Sequence, residues 1–461
     1  MVTELLPALV DFLGVLRPAF TRPGFDNMFV LFVGWVLTSG SHAVTQALVM
    51  TSVAGRRHHE RFHRFFSRGT WEPDEIGRRL LFWMLEHVPA DAPIKLVIDD
   101  TVAPKKGAKV FGIGSHIDAV RSTRLCRVFT FGHCWVALAV LVWVPFSKRP
   151  WALPILFRLY RNKKECKKKG HVYRKKTELA REMLDVVLAW TQGVRRIECT
   201  ADSAYGNDTV LRDLHESLVF VGAMRPDAVL TSLPSEREPH RAGRPRSRGT
   251  PLPKPEALAK DERHRWQTCT AHLYGKDERV RYKECFGQWY RACGVRLLRI
   301  VIVQVETGTI GLRVYFSTDP KMTVRQILET YAGRWSIEVC FKDLKQMLGF
   351  ADSSARKQAA VERTAPFVGF SYTVLVLWFA QHAYGSLLAT PPLRPWYPHK
   401  QGASFADILR TAQRVLGPLD VLDPGRGVED LQELPPGVVP LRAHRRNRGP
   451  GAAAPPRRRA A

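Results

Sequence analysis

Two short apolar runs that close on acids, with an amphipathic helix between them, most constrain what this chain can fold into. The first is Ile94-Lys-Leu-Val-Ile-Asp99-Asp100-Thr101 and the second is Arg196-Ile-Glu-Cys-Thr-Ala-Asp202. The helical stretch Thr177–Thr191, with Leu179, Met183, Val186, Val187 and Trp190 on one stripe, leads into the second run. Helix then strand is the crossover a parallel sheet requires, so an α/β core is expected. In that core Asp99 and Asp202 close their strands and stand at one edge of the sheet.

A third acid comes from a helix. Tyr331-Ala-Gly-Arg334-Trp-Ser-Ile-Glu338-Val-Cys-Phe-Lys-Asp-Leu-Lys345 has no Pro, and Val339, Leu344 and Leu348 give it an apolar side. At helical pitch, Tyr331, Arg334, Glu338 and Lys345 fall within an arc of roughly 60°. A phenol, two cations and a carboxylate thus share one stripe. Carboxylates of this kind suit hard divalent cations, which take oxygen ligands.

The spacing Tyr-x2-Arg-x3-Glu-x6-Lys resembles the signature helix of DDE transposases of the YREK group of bacterial insertion sequences. Asp99-Asp100-Thr101-Val-Ala-Pro104-Lys105-Lys106-Gly107 and Gly132-His-Cys-Trp-Val136 are similar to that group as well. The likeness covers roughly residues 95–350. It implies an RNase H-like mixed sheet with flanking helices, interrupted by a β-rich insertion domain and preceded by a helical N-terminal domain. It implies Asp99, Asp202 and Glu338 as catalytic residues, holding two Mg²⁺ ions for which Mn²⁺ can substitute. The three carboxylates are expected to converge, roughly 4–8 Å between neighbours. Asp100 competes with Asp99 as first metal ligand. The group's Asp-x-Ser/Thr pattern favours Asp99, while alternation leaves both open because Leu96, Val97 and Ile98 are apolar on both faces. Tyr331, Arg334 and Lys345 are implied as phosphate contacts near the cleavage point.

The remainder reads as follows. Residues 1–90 are helical, with Met28–Leu37, Ser41–Thr51 and Asp74–Leu85 at helical spacing and a basic cluster around Arg56–Arg64, suiting a DNA-binding domain. Residues 91–210 form the first part of the core, with strands near Cys126–Phe131 and Trp135–Val144. Residues 211–322 are β-rich, and 323–390 return to the core with an apolar helix at Phe367–Ala383. Residues 391–461 are rich in Pro and Arg, and Leu441–Ala461, with seven Arg and no acid, is expected to be disordered. Arg161–Lys176, nine cations against one acid, reads as an exposed loop for phosphates. Lys105 and Lys106 could hold the scissile strand. Arg244 and Arg246, in Gly-Arg-Pro-Arg, resemble a minor-groove hook. Trp289 could stack a base, or belong to the core.

A formal charge of +27 over 461 residues favours a polyanionic partner. Nucleic acid fits better than membrane, and the resemblance implies double-stranded DNA, as terminal inverted repeats and target. The apolar stretches at 28–38, 133–147 and 365–380 are shorter than the ~18–20 residues of a spanning helix. No signal peptide is visible, and Cys126, Cys134, Cys199 and Cys340 read as buried thiols, so a cytoplasmic, nucleoid-associated protein is expected, acting as a homodimer on DNA. A tyrosine recombinase would use Tyr331 as nucleophile, but its ordered Arg and His-x-x-Arg partners are not evident. An inactive or domesticated DNA-binding derivative is the remaining alternative, and three intact acids argue against decay.

Overall fold

The computed structural model describes residues 2–421, except 108, 119–120, 124, 235–245, 305–311, 392–394, 397–399, 401, 418 and 420. Arg244 and the tail Leu441–Ala461 lie outside the described residues.

Helical spacing at the N-terminus yields α1 (Val2–Gly14), α2 (Arg22–Leu37), α3 (Val44–Met50), α4 (Glu60–Ser67) and α5 (Pro73–Leu85). The basic cluster is partly helical: α4 buries Phe62, Phe65 and Phe66 and leaves Arg61 and Arg64 outside. These helices share one hydrophobic core with the rest of the chain. The contact is intimate at Gly77 in α5, where an added Cβ would stand 1.9 Å from the Ile155 carbonyl oxygen.

The sheet begins with β1 (Ile94–Pro104), β2 (Gly114–Ile117), β3 (Phe129–Val142) and β4 (Trp151–Tyr160). The two apolar strands expected around residues 126–144 are one long strand, β3. It pairs antiparallel with β1, β2 and β4. The basic run is not wholly loop, since α6 (Lys163–Lys169) forms within it. Asn162 caps its start by accepting from Glu165 N–H at 2.8 Å, and Gly170 ends it at φ 66°.

Then α7 (Lys176–Trp190) crosses to β5 (Ile197–Ala201), which lies parallel to β1 as anticipated. After the short α8 (Asp208–Leu211), β6 (Leu218–Met224) lies parallel to β5. The order β4-β3-β1-β5-β6 forms the RNase H-like sheet.

Residues 211–322 are β-rich, and their strands continue this sheet rather than starting another. They comprise β7 (Leu230–Thr231), β8 (Pro251–Leu252), α9 (Pro255–Lys260), β9 (Gln267–Leu273), β10 (Lys276–Gln288), α10 (Tyr290–Cys293), β11 (Leu297–Gln304) and β12 (Arg313–Ser317). β12 pairs with β6, and β11 and β10 follow, giving one sheet of twelve strands among the described residues.

The last layer holds α11 (Val324–Gly333), α12 (Trp335–Met347), α13 (Gln358–Trp378) and α14 (Phe405–Leu416). α13 and the π turn after it run unbroken from Gln358 to Ala383, longer than expected and long and apolar enough to cross a membrane. Inside this fold it is a core helix, its most apolar window 89% buried. Cys134, Cys199 and Cys340 are buried as expected; Cys126 is exposed, because it sits in the loop before β3.

Candidate active site

The parallel ladder between β1 and β5 ends with Ile98 opposite Ala201. The next residues are Asp99 and Asp202, so the two carboxylates leave the ladder side by side. Asp202 closes β5 as expected. Asp99 does not close β1: that strand runs on to Pro104 because β3 keeps pairing with it, Asp99 opposite Ala137. Past Asp202 the chain turns into a short 3₁₀ helix, Ser203–Tyr205, capped by Asp202, whose carboxylate accepts from the backbone N–H and hydroxyl of Ser203.

The helix of the third acid is two helices. α11 ends at Gly333 and α12 begins at Trp335, with Arg334 at the joint. There the backbone tightens: Arg334 N–H bonds the Tyr331 carbonyl and Ile337 N–H the Arg334 carbonyl, each at 3.1 Å. The stripe largely survives this break. Arg334 Nη2 lies 2.8 Å from Glu338 Oε1, and Nη1 lies 3.3 Å from Asp99 Oδ2. The Arg334 guanidinium sits 5.8 Å from the centre of the Tyr331 ring, which packs 4.5 Å from Tyr315. Lys345 is half-buried, which lowers its ammonium pKa, with Asp118 opposing that shift.

Alternation along β1 separates the two neighbouring acids. Asp99 faces α12, whereas Asp100 faces the opposite layer. There Asp100 Oδ2 meets Lys176 Nζ at 2.5 Å, Tyr205 OH donates to Oδ1 at 2.9 Å, and Cys134 Sγ lies at 3.5 Å.

Electrostatics mark Asp99 as the unsatisfied acid. Its side chain is only 17% exposed. Burial pushes its pKa up to about 7; the Asp100 N–H and Arg334 pull it down, and the charges of Asp100 and Asp202 push it up. Burial also raises the Tyr331 phenol, with Arg334 acting against it and Asp202 with it. Burial disfavours the Arg334 cation, but Glu338, Tyr331 and Asp99 outweigh it and raise its pKa. Arg334 Nε is buried without a hydrogen-bond partner among the described residues.

The three acids share one neighbourhood but do not form a finished metal cluster. Among the described residues no three His, Cys, Asp or Glu side chains lie close enough together to hold a metal ion. Like charges do not crowd without a cation, and here Arg334 is the cation between Asp99 and Glu338.

The outlying basic and aromatic candidates differ in availability. Lys106 and Arg246 are exposed. Lys105 is tucked in, its Nζ bonded to the Ser353 carbonyl, and burial lowers its pKa to about 8. Trp289 is half-buried and meets Phe316 edge-on at 5.5 Å. The residues that sequence reasoning passed over are Lys176 and Tyr205. Lys176 was counted only as one of a basic run, and Tyr205 only as a neighbour of Asp202. The adjacency of Asp100 to Asp99 was the one available signal for both.

Comparison with known families agrees with this geometry. A model described as DDE superfamily endonuclease matches residues 16–278, which include Asp99 and Asp202. A second, described as archaeal putative transposase ISC1217, matches residues 292–387, which include Arg334 and Glu338. No curated protein matches the chain. The first match alone spans more than half of the chain, and this protein, whose residues 292–387 match a transposase model, is therefore a member of the DDE superfamily of endonucleases.

Proposed function

We propose that this protein is a transposase of the YREK group that cleaves the ends of an insertion sequence and joins the freed 3′-hydroxyl to target DNA. Asp99, Asp202 and Glu338 are its catalytic acids. The observation that carries this reading is the end of the β1–β5 ladder, where Asp99 and Asp202 emerge together and Arg334 ties Asp99 to Glu338.

The donor set suits hard divalent cations, Mg²⁺ foremost and Mn²⁺ as substitute. It offers carboxylate oxygens with neither His nor thiolate, and one of those carboxylates is buried with too little positive charge around it. Asp99, Asp202 and Glu338 would hold two such ions; Asp100, turned to Lys176 and Tyr205, is left out of the ligand set. When bound, the ions supply an activated water and stabilise the departing oxygen. The chain's own residues do the rest. Arg334 presents a planar fork for which a phosphate oxygen is as good an acceptor as a carboxylate. Tyr331, kept protonated by burial, offers a hydroxyl donor and not a phenolate nucleophile. Lys106, Arg246 and Lys345, with the exposed Arg61 and Arg64 of α4, add phosphate contacts, and DNA ends are paired by a homodimer. With three acids and Arg334 in place, an inactive derivative is the less favoured reading.

The test is cleavage of a labelled duplex carrying the inverted repeat that flanks the gene, with Mg²⁺ and a denaturing gel. Glu338→Gln is expected to abolish cleavage while the duplex is still bound. A covalent protein–DNA adduct through Tyr331, or full cleavage by Glu338→Gln, would end the reading.

A further inference from the structure

The strongest unexplained cluster in the molecule lies on the reverse face of β1, behind the proposed catalytic acids. Asp100 is the residue after Asp99, and Tyr205 lies three residues beyond Asp202. The Tyr205 hydroxyl donates to Asp100 Oδ1 at 2.9 Å, so one hydrogen bond joins the two segments that carry the acids. Lys176, the first residue of α7, closes on the other oxygen at 2.5 Å and lies 5.4 Å from the centre of the Tyr160 ring. Four elements therefore meet on one carboxylate: β1, the 3₁₀ turn after β5, the start of the crossover helix, and β3 through Cys134 Sγ at 3.5 Å. Tyr205 is 2% exposed, so its ring is fixed by packing and its hydroxyl has little freedom to seek water.

A surface ion pair would need none of this. A buried tyrosine that spends its only O–H on the neighbour of a proposed metal ligand does more than fill space, because a phenylalanine would fill it as well. The β1–β5 ladder sets Asp99 and Asp202 side by side, but its last pair, Ile98 with Ala201, stops one residue short of both, and β1 then runs on while the other chain turns away. The Tyr205–Asp100 bond adds a side-chain constraint beyond the end of the ladder, and Lys176 fixes the other Asp100 oxygen.

We propose that Tyr205, Asp100 and Lys176 are positioning residues that set the spacing of the Asp99 and Asp202 carboxylates and thereby the affinity for divalent metal. This rests on the reading of Asp99 and Asp202 as metal ligands. Outer-sphere partners of metal ligands typically change affinity or activity by about 10- to 100-fold when removed.

The experiment uses the full-length protein and Mn²⁺ as probe. Free and bound Mn²⁺ are measured by electron paramagnetic resonance, and nicking of supercoiled plasmid is followed against Mn²⁺ concentration. Thermal melting without metal reports the fold. Tyr205→Phe is expected to weaken Mn²⁺ binding about 10- to 100-fold with melting near the parent's, and to regain most of the nicking rate at high Mn²⁺. Lys176→Met should behave alike, and Lys176→Arg should restore binding. Asp99→Asn is the control for the underlying reading and should lose binding and nicking together. If Asp99→Asn loses both while Tyr205→Phe and Lys176→Met keep parental Mn²⁺ affinity, the positioning proposal is overturned and the catalytic reading stands. If Asp99→Asn keeps both, the two fall together. If Asp100→Asn drops to the level of Asp99→Asn at every Mn²⁺ concentration, Asp100 is itself a ligand and the proposal is again overturned.

Discussion

Two buried carboxylates in this chain are held in opposite ways. Asp407, in the first turn of α14, has a side chain only 1% exposed. It accepts from Ser404 N–H at 2.9 Å and Ser404 Oγ at 2.6 Å, and it pairs with Lys400 and with Arg410 at 3.1 Å. Burial pushes its pKa up, but Lys400 and Ser404 outweigh this and hold it at about 2. Asp99 has one backbone N–H at 2.8 Å and a guanidinium at 3.3 Å, and it is pushed to about 7. Asp407 is fully supplied with donors, whereas Asp99 is left short of positive charge beside other acids, which under the proposed function leaves room for a cation.

The sharpest way to break this contrast is to remove the charges. Asp99→Asn, Asp202→Asn and Glu338→Gln should each bring DNA cleavage to background, and so should a chelator, with Mg²⁺ or Mn²⁺ restoring the parent alone. Asp407→Asn, normalised to folded protein, should cleave as the parent does. Equal losses at Asp99 and Asp407 would mean that the contrast has nothing to do with chemistry.

The same pair should diverge in stability without metal. Asp99 has a folded pKa above its unfolded value. The parent therefore loses stability as pH rises from about 4 through about 7, the unfolded chain ionising first. Asp99→Asn should remove that loss and melt no lower than the parent at pH 8, and added Mn²⁺ should raise the parent's melting point more than the variant's. Asp407 has a folded pKa below its unfolded value. Its stabilisation is complete above about pH 4 and is lost as pH falls through about 2. Asp407→Asn should cost about 2 kcal/mol at neutral pH, and the difference should fade toward pH 2. Denaturant melts across the pH range measure both, and a matching sign for the two variants would refute the comparison.

What the sequence disclosed follows the same physical divide. β5 and α7 were legible because their apolar spacing is local and uninterrupted, and Asp202 closes its strand as read. β4 was not legible. Pro154 stands inside Trp151–Tyr160 and argues against a strand, yet among the described residues β4 pairs with β3 alone, with a register shift at Leu138/Ala139. The Pro154 carbonyl instead takes the Thr373 hydroxyl at 3.0 Å. The signature stripe was legible as far as Glu338. The tight joint at Arg334 could not be read from spacing, and neither could the burial of Lys345, because both depend on what α12 packs against. Asp99 and Asp100 were inseparable in a run apolar on both faces. Only the partners on each side, Arg334 and Lys176 with Tyr205, tell them apart.

The smallest expected effect concerns Tyr331, and it tests whether the site's chemistry belongs to the acids or to the phenol. The Tyr331 ring packs against Tyr315, a contact that Phe would keep, so Tyr331→Phe removes only a hydroxyl. Burial raises the phenol's pKa, which makes it a donor at neutral pH and a poor nucleophile. A hydrogen bond to a charged phosphate contributes about 1.5–3 kcal/mol. At the lower end of that range the loss corresponds to roughly tenfold in rate. Tyr331→Phe should therefore still cleave, with no adduct on a denaturing gel in either protein. Complete loss in Tyr331→Phe alongside retained cleavage in Glu338→Gln would transfer the chemistry from the carboxylates to the phenol. A tenfold loss, against background levels for Asp99→Asn, places Tyr331 among the groups that hold DNA and leaves bond breaking to the acids.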